Sequence, residues 1–199
     1  MMKKFFGNIE WGLLPTVFAL ALPTMLEQLM HTAVQYVDTA MVGSLGANAS
    51  AAIGLVSTST WLMGGFGSAV SAGFSVQVAQ YIGANEPRNA RRVIKHGLIT
   101  AIIFTMLLMM IGVCISNPLP RWLGGEEALW KDASAYFLVY AITMPFMELN
   151  RLASGFLQSA GNMVVPSILN SVMCVLDVAF NAFFIPSGDA NFGNLFVLL

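Results

Sequence analysis

The sequence predicts an all-α integral membrane protein with about five transmembrane helices. Hydrophobic residues make up 57% of the 199 residues, charged residues make up only 10%, and the mean hydropathy is +0.73. A soluble domain carries about 25% charged residues, so this chain lacks the charge needed to cover a water-exposed surface. The apolar residues also lie in continuous stretches, without the alternation that barrel strands show. Helices are therefore the predicted spanning elements.

Five apolar stretches are each long enough to cross a bilayer core, which requires about 20 residues. They are 11–42, 51–81, 93–119, 133–156 and 164–185. The first two exceed a minimal span, which indicates tilt or a kink, and Pro15 and Pro23 are the candidate kink sites in the first. The connections between the stretches are short, so residues 1–199 are predicted to form a single domain.

The charge balance and the motifs exclude several classes of function. Nine Lys and Arg residues against ten Asp and Glu residues leave no basic surface for the phosphates of a nucleic acid. Cys114 and Cys174 both lie in apolar stretches and form neither a disulfide framework nor a CxxC metal motif. The sequence contains no HExxH, GxSxG or P-loop motif. We therefore expect no enzyme activity, no cofactor and no structural metal.

Basic residues in the connections predict how the chain is oriented. If the spans alternate, seven Lys and Arg residues share one side of the membrane and two lie on the other. The seven are Lys3, Lys4, Arg88, Arg91, Arg92, Lys95 and Arg151, and the two are Arg121 and Lys131. Cytoplasmic connections are enriched in Lys and Arg. The sequence therefore predicts a multi-pass protein of the plasma membrane with a cytoplasmic amino terminus and with the residues after Ile185 on the far side.

A polar stripe runs along the first span. Thr24, Glu27, His31, Gln35 and Asp38 are spaced by 3, 4, 4 and 3 residues. At about 100° per residue they share one helix face. Charged groups at the bilayer centre are costly, so this face is predicted to be the wall of a cavity in which Asp38 binds a cation or exchanges a proton. The alternative is that the stripe only holds neighbouring helices together. A metal pair of Glu27 and His31 is rejected because no third ligand has suitable spacing.

A second polar face lies on the fifth span. Asn170, Cys174, Asp177 and Asn181 are spaced by 4, 3 and 4 residues and therefore share a face. A carboxylate flanked by amide oxygens suits a hard cation such as Na⁺, and the carboxylate also suits a proton. The alternative is that the two Asn residues bond neighbouring helices while Asp177 is buried and protonated. Cys174 is interpreted as a small hydrophobic residue.

Two further patterns indicate packing between helices. Glu148 and Arg151 are three residues apart in the fourth span and are predicted to form a structural ion pair. Small residues recur at three- and four-residue spacing in the second span, which allows close helix contact in lipid. They are Gly64, Gly67, Ser68, Ser71, Ala72 and Ser75.

Five segments carry a resemblance to a known family. They are Leu22–Thr24, Val37–Gly46, Ala51–Leu55, Val76–Asn85 with Ala90, and Gly155–Asn162 with Pro166. In this order and spacing they resemble multidrug and toxic compound extrusion (MATE) transporters over about residues 10–186, with the bacterial NorM and DinF-like branches the most similar. The resemblance implies a bacterial inner-membrane antiporter of two six-helix lobes that exports organic cations and drugs in exchange for Na⁺ or H⁺.

The resemblance also implies which residues couple transport to the ion. In that family an Asp of the first helix and an Asn/Asp pair of the fifth helix form the cation or proton site, which corresponds here to Asp38 and to Asp177 with Asn181. The coupling Na⁺ or H⁺ is therefore expected at these three residues, with Asn170 as a further candidate. The family pair often has Asn first and Asp four residues later, whereas here Asp177 comes first, so the coupling ion stays open between Na⁺ and H⁺.

Length is the larger departure from the family, because about twelve helices are expected and five are present. The chain is therefore expected to be a truncated amino-terminal lobe that lacks a carboxy-terminal lobe. It is interpreted as a fragment of a longer transporter, with a separately encoded second half and a non-functional remnant as alternatives. A non-transporting membrane subunit that packs with a partner is one rival function, and a small channel lined by the polar faces of several copies is another.

Overall fold

The expected all-α architecture is confirmed by a computed structural model, which describes residues 14–44 and 46–184. Five long helices and one short helix account for most of them, and these residues contain no strand. The helices are α1 (Leu14–Ser44), α2 (Ala47–Gly83), α3 (Pro87–Ile115), the short α4 (Leu119–Trp122), α5 (Glu127–Ser159) and α6 (Val164–Phe184). Lys3, Lys4 and the segment that follows residue 184 lie outside the described residues.

The helix ends differ from the predicted spans by a few residues, for local reasons. Helices α2 and α5 extend beyond their apolar stretches because their first and last turns are polar but still helical. Helix α3 ends at Ile115, four residues before the predicted end, and Pro118 then precedes the short α4. Gly46 and Gly124 stand in the connections with φ of 111° and 75°, a backbone region that glycine adopts without steric cost.

Length and hydropathy together mark two of these helices as bilayer spans. Among the described residues, α2 and α3 meet both criteria, and α6 contains a shorter apolar segment, Val164–Phe180. Helix α1 carries the polar stripe and α5 carries the Glu148–Arg151 pair, so both mix polar groups into an apolar background. The chain continues in helix through Pro23 in α1 and through Pro145 in α5.

The helices form a group of three and a pair. Helices α2, α3 and α5 pack against one another, with α4 against α5, whereas α1 packs mainly against α6. The pair meets the group through smaller contacts of α1 with α2 and of α6 with α5. Buried apolar side chains concentrate in the three-helix group, where Val56, Phe137 and Leu152 have no exposed surface. This arrangement leaves α1 and α6 facing each other along most of their length.

Small residues allow α2 and α5 to approach closely, as the sequence predicts. A Cβ atom added at Gly64 would lie 3.0 Å from the Tyr140 hydroxyl, and one added at Gly67 would lie 2.3 Å from Cδ of Glu148. Ser75 accepts a hydrogen bond of 2.8 Å at its carbonyl oxygen from the Ser159 hydroxyl. Ala72 is exposed and Ser68 bonds Gly65 of its own helix, so these two do not take part in the seam.

The predicted ion pair lies inside this seam. Nη1 of Arg151 is 3.1 Å from Oε1 of Glu148, and the Glu148 side chain is 3% exposed whereas that of Arg151 is 48% exposed. The Ser71 hydroxyl donates to the second carboxylate oxygen at 3.4 Å, and Arg151 also donates to the Gly64 carbonyl at 3.4 Å. The carboxylate is thus buried between α2 and α5 and is held by groups from both helices.

Replacing Gly67 with Ala is expected to destabilise the protein by about 1–3 kcal/mol, because the new methyl group overlaps the buried Glu148 carboxylate and packed interiors yield little. Gly65→Ala is the matched control, since nothing lies within 4 Å of its added Cβ. It should be neutral or slightly stabilising. The free energy of unfolding in mixed micelles, followed by circular dichroism during detergent titration, distinguishes the two. Equal stability of both variants would contradict the proposed contact.

Candidate ion-coupling site between α1 and α6

The clearest polar contact between α1 and α6 is formed by Glu27. Its Oε2 accepts a hydrogen bond of 2.9 Å from the Ser167 hydroxyl, and its Oε1 accepts one from the Asn170 side-chain amide. Glu27 is half-buried. Two neutral donors from α6 therefore bind one carboxylate from α1, and they fix the level at which the two helices face each other.

The predicted coupling residues lie further along the same two helices, Asp38 on α1 and Asp177 with Asn181 on α6. Glu27 contacts Ser167 and Asn170, whereas the later residue Asp38 acts on the later residue Cys174, so α1 and α6 run in the same direction. Extending the offset of the Glu27 contacts at about 1.5 Å per residue predicts that Asp38 lies at a level between Asp177 and Asn181. Asp38 is 11 residues beyond Glu27, about 16 Å along the helix at 1.5 Å per residue.

The charges around Cys174 agree with this placement. Cys174 is half-buried on α6, and the carboxylates of Asp177, Asp38 and Glu27 all lie close enough to act on its thiol electrostatically. Asp38 and Asp177 are themselves half-buried, and both make polar or electrostatic contacts. Three carboxylates from the two helices therefore act electrostatically on the same side chain of α6.

The other residues that the sequence predicted for the site do not all lie beside Asp38 and Asp177. His31 and Gln35 are exposed, and Thr24 is half-buried with its hydroxyl donating to the Ala21 carbonyl at 2.8 Å. Asn170 is hydrogen-bonded to Glu27 and lies about two helical turns before Asp177 on α6. Asn181 lies one turn beyond Asp177 on α6, and the contacts of its side chain fall outside the described part of the chain.

A cavity of about 650 Å³ opens between α1 and α6 beside the Glu27 contact. Its walls are mostly apolar, with Leu26 and Met30 from α1 and Ile168 and Val172 from α6 among them. Glu27, Ser167 and Ser171 supply its polar groups. Thr24, His31 and Gln35 lie outside this lining, although all three are described. The cavity therefore combines apolar walls with a single acidic group.

Ser167 is the site residue that the sequence analysis missed. It extends the polar face of α6 by one turn, because 167, 170, 174, 177 and 181 are spaced by 3, 4, 3 and 4 residues. The periodic signal was therefore present, but a single Ser in an apolar helix commonly bonds its own backbone. Its role follows from the position of Glu27 on the facing helix, which local sequence does not specify.

Within residues 14–44 and 46–184, no group of three or more His, Cys, Asp and Glu side chains converges on one point.

The chain resembles transporters along most of its length. It is 38% identical over 90 residues to "Probable multidrug resistance protein NorM" of Bradyrhizobium diazoefficiens, which covers 45% of this chain and 19% of that protein. It is 26% identical to the protein of the same name from Neisseria meningitidis over 84% of this chain and 36% of the relative. A "FAD transporter" of Shewanella oneidensis is 21% identical over 89% of this chain and 39% of its own length.

Solved structures show the same fold. The Vibrio cholerae MATE transporter VcmN in the bent form superposes with a TM-score of 0.84 at 20% identity, over 94% of this chain and 43% of that one. A MOP superfamily transporter from Pyrococcus furiosus superposes with a TM-score of 0.83 at 22% identity, over 92% and 40%. The chain thus spans less than half the length of these relatives, which are transporters and not enzymes.

A family model matches most of the chain. The MatE model matches residues 23–183, which include most of both polar helices and the whole three-helix group. Members of this family are integral membrane proteins, in agreement with the composition and the apolar helices. The chain belongs to the MatE family.

Proposed function

We propose that this chain is the amino-terminal lobe of a secondary active multidrug efflux antiporter, which exports organic cations or drugs in exchange for Na⁺ or H⁺. The observation that supports the proposal most is that two half-buried carboxylates, Asp38 and Asp177, stand on two helices that form a pair of their own. Ionisable residues inside a membrane mark ion pathways and proton relays. Neither residue is needed for the packing of the three-helix group, which has its own buried ion pair.

In the proposed mechanism, Asp38 and Asp177 bind Na⁺ or a proton that enters from outside, with Asn181 as a further oxygen ligand. Two carboxylates that face each other repel, and a bound cation or proton removes that repulsion. Helix α1 then packs more closely on α6, the cavity between them narrows, and the bound substrate is expelled. The contact of Glu27 with Ser167 and Asn170 acts as the fixed point of this movement.

The cavity supports an organic cation as the cargo. An apolar wall accommodates the body of a lipophilic molecule, and one carboxylate at the wall attracts a positive charge. The Shewanella relative transports FAD by its name, and FAD carries negative phosphates. Glu27 is the charged group of the described lining, so this cavity suits a cation better than a dinucleotide.

A second lobe is part of the proposal. The solved relatives are more than twice as long as this chain, which covers 40–43% of them. In transporters built from repeats, the substrate site lies at the interface of the two repeats. We place the missing carboxy-terminal lobe against the open side of the α1–α6 pair, in a bacterial inner membrane with the amino terminus in the cytoplasm, as the basic residues indicate.

Gradient-driven transport tests this function. The protein is purified from the membranes of its own host, so that an attached or associated second lobe is retained, and is reconstituted into vesicles. Ethidium movement is followed by fluorescence under an imposed Na⁺ gradient and, separately, under an imposed pH gradient. Movement that accelerates with one gradient and stops when the matching ionophore collapses it supports the antiporter. Ethidium movement that is indifferent to both gradients would exclude coupled transport.

A non-transporting membrane subunit is the second candidate, and one contact favours it. Ser167 and Asn170 both bond Glu27, so part of the polar stripe is satisfied within the helix pair. A subunit of this kind would leave no water-filled surface along α1. The exposed His31 and Gln35 further along the same stripe distinguish the two functions.

Cysteines at these positions are expected to react with a membrane-impermeant maleimide. In a background with Cys114 and Cys174 replaced by Ala, His31→Cys and Gln35→Cys should be labelled in intact vesicles, because the transporter hydrates this face. Leu29→Cys is the matched control: Leu29 is 67% exposed, but it lies on the opposite face of α1, toward lipid. Labelling is measured by mass shift. Absence of label at both stripe positions would favour the packing subunit.

A further inference from the structure

The exposed surface at the start of α3 differs from every other surface of the described chain in its charge. Arg88, Arg91, Arg92 and Lys95 are all exposed. At about 100° per residue they fall within an arc of about 100° on one side of the helix. Together these four residues are called the basic face of α3.

The basic face points away from the protein interior. Helix α3 packs on α2 and α5 through small residues, Ala90, Gly97 and Ala101, which are buried. These lie on the other side of the helix from the four basic residues. The buried side of α3 fixes its rotation, and the basic face is therefore turned outward by the same contacts that hold the helix in the group.

An apolar stripe continues the basic face along the same side of the helix. Ile99, Ile103, Met106 and Met110 follow in line, and they are 57%, 65%, 44% and 62% exposed. Exposed apolar side chains on a membrane helix contact acyl chains. The change from basic to apolar within one turn after Lys95 therefore places the four cations at the level of the lipid headgroups, above the acyl chains that cover the stripe.

The connection before α3 contains too few acidic residues to neutralise these four cations. Glu86 is the one acidic residue between Gly83 and His96. Its Oε2 accepts a hydrogen bond of 2.7 Å from the side-chain amide of Asn89. Four positive charges against one negative charge leave a net charge of plus three on this segment, and lipid phosphates are the anions that occupy the adjacent layer.

We propose that the basic face of α3 binds the headgroups of anionic phospholipids, with their acyl chains lying along the apolar stripe. Clusters of Lys and Arg at the end of a membrane helix attract anionic lipid at about 1 kcal/mol per residue, which is about fivefold in affinity for each residue that is engaged. The proposal rests on charge complementarity and on the continuity of the two surfaces. It is independent of whether the chain transports a drug.

Lipid binding is tested by native mass spectrometry of the purified protein titrated with phosphatidylglycerol or with phosphatidylcholine. The first phosphatidylglycerol is expected to bind at least about fivefold more tightly. Replacing the four residues together, Arg88→Gln, Arg91→Gln, Arg92→Gln and Lys95→Gln, should reduce phosphatidylglycerol binding to the level of phosphatidylcholine. The control variant Arg121→Gln with Lys131→Gln removes two exposed cations elsewhere and should keep the preference.

Two further measurements keep the result decisive. The preference should weaken between about 0.1 M and about 1 M salt, where the Debye length falls from about 10 Å to about 3 Å. Inorganic phosphate at matched ionic strength should not displace phosphatidylglycerol, because it cannot occupy the apolar stripe. Equal binding of both lipids, an unchanged preference in the fourfold variant or competition by phosphate would each overturn the proposal. Circular dichroism verifies that the fourfold variant, altered only at exposed positions, keeps its helices.

Discussion

Replacing Asp38 with Asn is expected to reduce gradient-driven ethidium efflux at least about tenfold, which corresponds to about 1.4 kcal/mol of lost coupling free energy. The side chain keeps its size but loses the charge that attracts Na⁺ and the group that exchanges a proton. In the proposed site Asp38 is at the level of Asp177 and Asn181, so the substitution would remove one of the two carboxylates between which the ion is proposed to bind. Facilitated movement of ethidium without a gradient should persist.

Asp132→Asn is the control for this experiment. Asp132 is an exposed carboxylate in the first turns of α5, so its replacement changes the net charge by the same amount without touching the α1–α6 pair. Coupled efflux should stay within about twofold of the unmodified protein, as for most exposed substitutions. Unchanged coupling in Asp38→Asn, with normal amount and helix content, would remove Asp38 from the mechanism.

The order of Asp177 and Asn181 on α6 gives a second test of the proposed site. Exchanging them, Asp177→Asn with Asn181→Asp, moves the carboxylate by one helical turn, about 5.4 Å. In the proposed site Asp38 faces the level between the two positions, so the exchanged protein should retain coupled efflux. Asp177→Asn alone leaves no carboxylate on this part of α6 and should lose it. Loss in the exchanged protein as well would show that the position of the charge, and not only its presence, is required.

Local periodicity was sufficient to predict the helices and the two polar faces. The spacing of Glu27 and Asp38 on α1 and of Asn170 and Asp177 on α6 places each set on one side of its own helix. The sequence could not show which residue of one face meets which residue of the other, because that depends on how α1 and α6 pair in space. The hydrogen bond from Asn170 to Glu27 depends on that pairing, and periodicity within one helix does not predict it.

Within the three-helix group, too, the sequence does not show which side chains of two helices meet. The spacing of Glu148 and Arg151 predicts an ion pair along α5, and the small residues of α2 predict a close contact. Neither pattern shows that Glu148 lies directly against Gly67, because that contact joins residues 81 positions apart and depends on how α2 and α5 face each other. Helix ends were imprecise for a different reason: polar turns such as the one beginning at Glu127 remain helical beyond the apolar stretch.

Replacing Arg151 with Gln is expected to destabilise the protein by about 2–3 kcal/mol. Breaking a fully buried ion pair costs about 3–5 kcal/mol because one charge is left buried without its partner. The value is reduced here because the Arg151 side chain is 48% exposed and solvent screens part of the attraction. Glu148→Gln should cost less, about 1 kcal/mol, because the amide oxygen can still accept from Ser71 and the half-exposed guanidinium remains solvated.

The double variant of Glu148 and Arg151 measures how much the ion pair itself contributes to stability. If the pair itself stabilises the α2–α5 seam, Glu148→Gln with Arg151→Gln should cost about 1–2 kcal/mol less than the sum of the single variants. Arg151 also donates to the Gly64 carbonyl at 3.4 Å, and that contact is lost whichever residue occupies position 148, so it cancels in the cycle. Lys131→Gln, an exposed cation on the same helix, should change stability by less than about 0.5 kcal/mol. Additive single variants would mean that Glu148 is held by Ser71 and by packing against Gly67, with no net contribution from the ion pair.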